Sequence, residues 1–210
     1  MADRVSRPDG VLEKVAALYT GNLETHGPSA KAIGWRDEAT RVLRYDVLAN
    51  VLGADRGPMT IADWGCGYGG LFTYLVEHGI DVTRYDGYDL SAAMITAASH
   101  LPKERVRLFQ SDAVNADVDY AFVSGTFNVR YDASDADWFA YITETLDSLW
   151  ARSAKGIAFN LLSTYVDWQE PHLYYGDPRV FFDYCKRKFS RSVSLYHDYP
   201  LYEWTITVRR

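Results

Sequence analysis

Residues 60–70, TIADWGCGYGG, limit what this chain can fold into more than any other stretch. An apolar run suited to a buried strand ends at Asp63, and a glycine-dense turn leads into the helical spacing of Leu71, Phe72, Leu75 and Val76. Glycines at 65, 67, 69 and 70 let the backbone turn tightly and approach a ligand, with the amides of the next helix N-terminus directed at it. A strand–turn–helix of this kind suits a nucleotide-bearing cofactor. Gly65, Gly67 and Gly70 also satisfy G-x-G-x-x-G, and Asp89 stands 19 residues beyond Gly70, where dinucleotide enzymes carry a ribose-binding acid. An NAD(P)-dependent oxidoreductase is therefore one reading of the turn.

The flanking pattern sets the fold class. Asp9 is expected to cap a short helix through Leu18, followed by a loop from Thr20 to Gly34 and a helix over 37–52. Strands and helices then alternate: strands to Trp64, at 82–89, 106–109, 120–124 and 155–161, with helices at 69–78, 91–101 and 134–152. Such repetition requires a parallel sheet with helices on both faces. After a helix over 178–188, the runs 191–196 and 201–208 read as a hairpin whose last strand is antiparallel and, from its alternation, half covered. The expectation is one doubly wound α/β domain over 1–210, with a helical cap at 1–56 and a cofactor-binding core at 57–210.

Composition narrows the partners. A formal net charge of −6 opposes broad nucleic-acid binding, which relies on phosphate neutralisation. MADRVSRPDG lacks an apolar signal core, and no stretch nears the roughly 18 apolar residues of a membrane span, so a cytoplasmic protein is expected. Cys66 and Cys185 suggest neither a disulfide framework nor a thiolate metal site.

Asp63 bears on the choice of cofactor. Dinucleotide folds keep that position apolar, and a carboxylate there repels a pyrophosphate but can pair with the amine of an amino-acid head. Together with DWGCGYG at 63–69, the segments YDLS at 88–91, QSDA at 110–113, DYAFVSGTFN at 119–128 and YEWTITV at 202–208 resemble the class I S-adenosylmethionine-dependent methyltransferases. HGPSAKAIGW at 26–35 resembles the cap of a bacterial small-molecule subgroup. The resemblance implies a Rossmann-like seven-stranded sheet in the order 3-2-1-4-5-7-6, with S-adenosyl-L-methionine as cofactor and S-adenosyl-L-homocysteine as product.

It further implies that Asp63, Gly65, Cys66 and Gly67 line the methionine end through backbone approach. Asp89 would accept from both ribose hydroxyls, Leu90 would pack on the adenine, Asp112 would accept from its exocyclic amine, and the Ala113 amide would reach a ring nitrogen. Asp86 competes with Asp89, and YDLS favours Asp89. Ser124 joins the cofactor residues; Trp35 is expected to close over the cofactor, with Arg44 anchoring its carboxylate or the cap itself.

Methyl transfer is an in-line displacement served by positioning and exclusion of water. If a base is needed, His26 and His172 lie in the loops expected to cover the site, and Asn128 and Asn160 could orient a polar acceptor. Phe127, Tyr174 and Tyr175 complete the expected acceptor wall, the last two in the aromatic loop 167–178. Metal is not expected, because Ser124 and Asn160 stand at strand ends where metal-dependent O-methyltransferases carry acids. The combined expectation is metal-free methylation of a small metabolite, with a non-catalytic cofactor-binding protein as the rival of another class.

Overall fold

The computed structural model describes residues 8–210. In chain order these form α1 (Asp9–His26), α2 (Glu38–Leu48), β1 (Met59–Trp64), α3 (Gly70–Glu77), β2 (Val82–Asp89), α4 (Ala92–Ala98), β3 (Val106–Gln110) and β4 (Val118–Val123). There follow α5 (Asp135–Arg152), β5 (Ser153–Ser163), β6 (Tyr175–Gly176), α6 (Pro178–Lys188), β7 (Ser192–Tyr196) and β8 (Glu203–Arg209). Short 3-10 turns at Ala30–Ile33 and Ala49–Leu52 flank α2.

The strands lie in the order β3-β2-β1-β4-β5-β8-β7. Strands β1 to β5 are parallel to one another, whereas β8 runs antiparallel to both β5 and β7. Counted without the two-residue β6, which pairs with the end of β5, this is the order the resemblance implied.

Burial of both sheet faces explains the long apolar runs. On one face Leu48, Leu71, Leu75 and Ala98 from the helices meet Ile61, Tyr85 and Phe122. On the other, Trp138, Ile142, Leu146 and Phe181 meet Ala62, Val123, Phe159 and Trp204. Side-chain caps fix the helix starts: Asp37 and Thr40 form a reciprocal capping box on α2, and Ser91 accepts from the Met94 amide at the start of α4.

Two regions depart from the sequence reading. Asp9 is the first residue of α1 rather than its cap, and that helix continues to His26, through much of the expected loop 20–34. Moreover, β8 is buried from Glu203 through Val208. The alternation suggested a half-covered strand, but β8 lies inside the sheet and its polar residues Glu203, Thr205 and Thr207 are buried too. Arg44 of α2 reaches Glu203 from the cap, which explains how a charged side chain is tolerated there.

Candidate active site

The glycine turn is held by backbone hydrogen bonds to the neighbouring strand. The amides of Gly65 and Cys66 both donate to the Tyr88 carbonyl, at 2.8 and 2.9 Å, and the Gly69 amide donates to the Cys66 carbonyl at 2.9 Å. Gly65 has φ +80°, and a Cβ there would stand 2.2 Å from Oγ1 of Thr126, so both conformation and packing demand glycine.

Asp89, at the end of β2, joins two successive strand ends. Its Oδ2 accepts from the Gly67 amide at 2.9 Å and its Oδ1 from the Ser91 amide at 2.8 Å. A carboxylate oxygen has a second acceptor site, so Asp89 keeps capacity for a vicinal diol while bracing the turn. Burial pushes its pKa up, and the backbone hydrogen bonds oppose that rise. Asp86, its competitor, is fully buried and bound by Arg107 through two contacts of 2.6 Å.

These groups form the floor of a cleft of about 690 Å³, open mouth included. Trp64, Gly65, Gly67, Asp89 and Leu90 line the floor, Ser111 and Asp112 one end, and Ser124, Gly125 and Thr126 a side wall. The roof is α1: Leu12, Val15, Ala16 and Tyr19 recur at helical spacing on its inner face. Thr20 Oγ1 and Ser91 Oγ, 2.8 Å apart, tie that roof to the start of α4. The Ser124 hydroxyl is buried in the wall without a hydrogen-bond partner among the described residues, a state that favours a polar ligand atom beside it. Burial pushes the Tyr19 hydroxyl up to about 12, so it remains a donor at neutral pH.

Of the expected cofactor residues, Gly65, Gly67, Asp89, Leu90, Asp112 and Ser124 line this cleft. Asp63 and Cys66 do not. Alternation along β1 sends Asp63 to the face opposite Trp64, where it is buried and accepts from the Tyr85 hydroxyl. Its pKa is raised to about 7, chiefly by burial, with the Tyr85 hydrogen bond working against it and the Asp89 charge adding to it. Cys66 is buried in the turn, and burial pushes its thiol well up. The Ala113 amide is occupied by Ser111 Oγ at 3.0 Å, and Ala113 faces a second hollow that shares Trp64, Asp112 and Tyr141 with the cleft.

The cap residues also take other roles. Trp35 does not cover the cleft; it is buried, edge-on to Tyr45 and 4.8 Å from the Arg44 guanidinium. Arg44 does not line the cleft; it binds Glu203 through both carboxylate oxygens and donates to the Thr40 carbonyl at 3.0 Å.

None of the expected acceptor residues lines the cleft. Phe127 and Tyr174 are core residues, and the Tyr175 hydroxyl accepts from the Glu170 amide. The Asn128 side chain accepts from the Leu162 amide at 3.3 Å, whereas Asn160 is fully buried between the Gly125 amide and Glu203. His26, the last residue of α1, and His172 are exposed and outside the cleft. Asn128 and Asn160 are expected here from their positions at strand ends, and the histidines and tyrosines from loops expected to cover the site; the structure instead turns the Asn128 and Asn160 side chains to neighbouring backbone and core groups. The residues missed were those of α1, for which the spacing of Leu12, Val15, Ala16 and Tyr19 was the available signal.

No protein-family model matches the chain. A relative from Mycobacterium tuberculosis (strain ATCC 25618 / H37Rv), named "Putative methyltransferase Rv1506c", is 44% identical over 157 residues, covering 73% of this chain and 94% of its own length. Solved structures share the fold at low identity. The DhpI complex with S-adenosylhomocysteine has a TM-score of 0.66 at 18% identity, covering 97% of this chain and 98% of its own. A Leishmania major S-adenosylmethionine-dependent methyltransferase gives 0.69 at 14%, with 100% and 87% covered. The Burkholderia thailandensis 1,6-didemethyltoxoflavin-N1-methyltransferase gives 0.65 at 16%, with 100% and 93% covered.

Proposed function

The chain belongs to the class I S-adenosylmethionine-dependent methyltransferases, and from that premise we propose that it methylates a small molecule by direct in-line transfer without a metal. Asp89 carries the cofactor part of this reading: a buried carboxylate braced by two amides at the strand end beside a glycine turn suits a ribose diol. Bound there, S-adenosylmethionine supplies a methyl group on a sulfonium, the electrophile of the reaction. Leu90 would flank the adenine and Asp112 would receive its amine, while the unpartnered Ser124 hydroxyl would meet the amino-acid end or the acceptor. Asp63 acts from behind the turn, keeping it in place through Tyr85.

Support for a small acceptor comes from the roof. With α1 packed over the strand ends, part of the cleft is covered, an arrangement that would help exclude water around a small acceptor. The net charge of −6 supports the same choice against nucleic acid. The likeness to the Burkholderia enzyme, whose structure holds 1,6-didemethyltoxoflavin, is in keeping with a small-molecule acceptor. No histidine lines the cleft, and Tyr19 is too weak an acid to act as a base. An acceptor that presents its own nucleophile, an unprotonated amine or an acidic hydroxyl, fits these walls best. The chain would work as one domain with a cap over 1–56, of which residues 1–7 lie outside the described residues.

Calorimetry with S-adenosylmethionine, S-adenosylhomocysteine and NAD, followed by a small-molecule screen with methyl-labelled cofactor, tests the proposal. Binding of both sulfur compounds and label on a small acceptor are expected. Binding of NAD alone, or label appearing only on protein or RNA, would overturn it.

A further inference from the structure

The cleft wall after β4 is held in place by a buried ring of side chains that no role in cofactor contact requires. Gly125, with φ +67°, is its focus. Its amide donates to Oδ1 of Asn160 at 2.7 Å, and Nδ2 of the same asparagine donates to Glu203 at 2.7 Å. Glu203 takes Nε of Arg44 on both oxygens at 2.9 Å. The Arg44 guanidinium stands 4.8 Å from the Trp35 ring, and a Cβ on Gly125 would lie 3.1 Å from Nε1 of that indole. The ring closes on the residue where it began. Its members come from α2, β8, β5 and the segment before α2, and Arg44 and Glu203 are 8% and 3% exposed.

Burying a charged pair gains little net stability over apolar packing, so stability alone is a weak reason for it. Directional hydrogen bonds, by contrast, fix geometry. Ser124 and Thr126, the neighbours of the clamped amide, face the cleft, and Thr126 Oγ1 donates to the Trp64 carbonyl at 3.1 Å while its side chain packs against Gly65. We infer that Asn160, Glu203, Arg44 and Trp35 are positioning residues whose task is to hold Gly125, and through it the Ser124–Thr126 wall and the glycine turn, in the geometry that binds the cofactor. The cap thereby sets the shape of a site that its Arg44 and Trp35 do not line. This rests on the cleft being the S-adenosylmethionine site.

The test uses the full chain and S-adenosylhomocysteine as the probe. Asn160→Ala should weaken binding about tenfold, as expected for loss of a hydrogen bond that shapes the site, and should speed exchange of the Gly125 amide hydrogen. The double variant Asn160→Asp with Glu203→Gln keeps an acceptor for Gly125 and reverses the amide–carboxylate pair. Affinity within about threefold of the unaltered protein is expected from it. Ile142→Val, a core change outside the ring, should lower the melting temperature without altering affinity.

Unchanged affinity in a folded Asn160→Ala protein would overturn the inference, as would failure of the folded double variant to recover binding. If Asn160→Ala does not fold, the unaltered protein still decides. Slow exchange of the Gly125 amide, comparable to β4, with weaker binding by Trp35→Phe supports the ring, whereas exchange at loop rates overturns it. If the unaltered protein binds neither S-adenosylmethionine nor S-adenosylhomocysteine, the cofactor reading itself has failed.

Discussion

The two sides of the cleft are built by different means. On the side of β1 and β2 the backbone does most of the work: glycine amides, the Tyr88 carbonyl and one carboxylate, all from residues 65–91. On the side of β4 the wall is positioned by side chains, through an ion pair between Arg44 and Glu203 that are 159 residues apart. The first side is a local property of a strand–turn–helix. The second exists only once cap and sheet have met. The backbone side should therefore be sensitive to loss of its one acid, and the side-chain side to loss of its charge balance.

The largest effect should come from the side-chain wall. Glu203→Ala leaves Arg44 buried without its partner and should cost about 3–5 kcal/mol, visible as a large fall in urea midpoint. A midpoint within measurement error of the unaltered protein would erase the contrast drawn here. Next is the backbone side: Asp89→Ala should weaken S-adenosylhomocysteine binding about 100-fold by calorimetry, from two or more lost hydrogen bonds to a charged group. If affinity falls less for Asp89→Ala than for Asn160→Ala, the floor is not the main cofactor contact.

A pH series sharpens the comparison further. Asp63 is raised from 3.8 to about 7, so between about pH 4 and 7 the folded chain holds more protons at this group than the unfolded chain does. Its contribution therefore makes stability fall as pH rises across that window. Asp63→Asn should remove this slope and raise the melting temperature more at pH 8 than at pH 5, where each kcal/mol corresponds to roughly 2–4 °C at this chain length. Equal shifts at the two values would show that Asp63 is ionised in the folded state throughout.

Smaller effects mark the edges of the site. Ser124→Ala should weaken cofactor or acceptor binding by about 3- to 10-fold, since its hydroxyl has no partner among the described residues. His172→Ala should change neither affinity nor turnover in an assay with methyl-labelled cofactor, because this histidine is exposed and outside the cleft. A fall in turnover with unchanged stability would return it to the list of candidate bases.

How much of this could be read from the chain follows from which interactions are local. The glycine turn and the Ser91 cap depend on patterns within some 30 residues and were legible, whereas the strand order, which pairs some residues more than 50 positions apart, came from the family resemblance. The roof was half legible: the apolar spacing of α1 is present, but the loop signals at His26–Pro28 obscured how far the helix runs. Strand-end position does not say which way Asn160 and Asn128 face, since a residue at a strand end can turn to either the cleft or the core.

By itself the sequence determined the doubly wound sheet and the backbone floor of the site, because hydrophobic period, capping residues and glycine conformation are decided within a few turns of chain. Only the tertiary structure decided that α1 is the roof, that Asp63 lies behind the turn and that the polar face of β8 is buried. Those outcomes depend on which surfaces meet, and a buried charge such as Glu203 becomes tolerable only when a partner from far along the chain arrives to neutralise it.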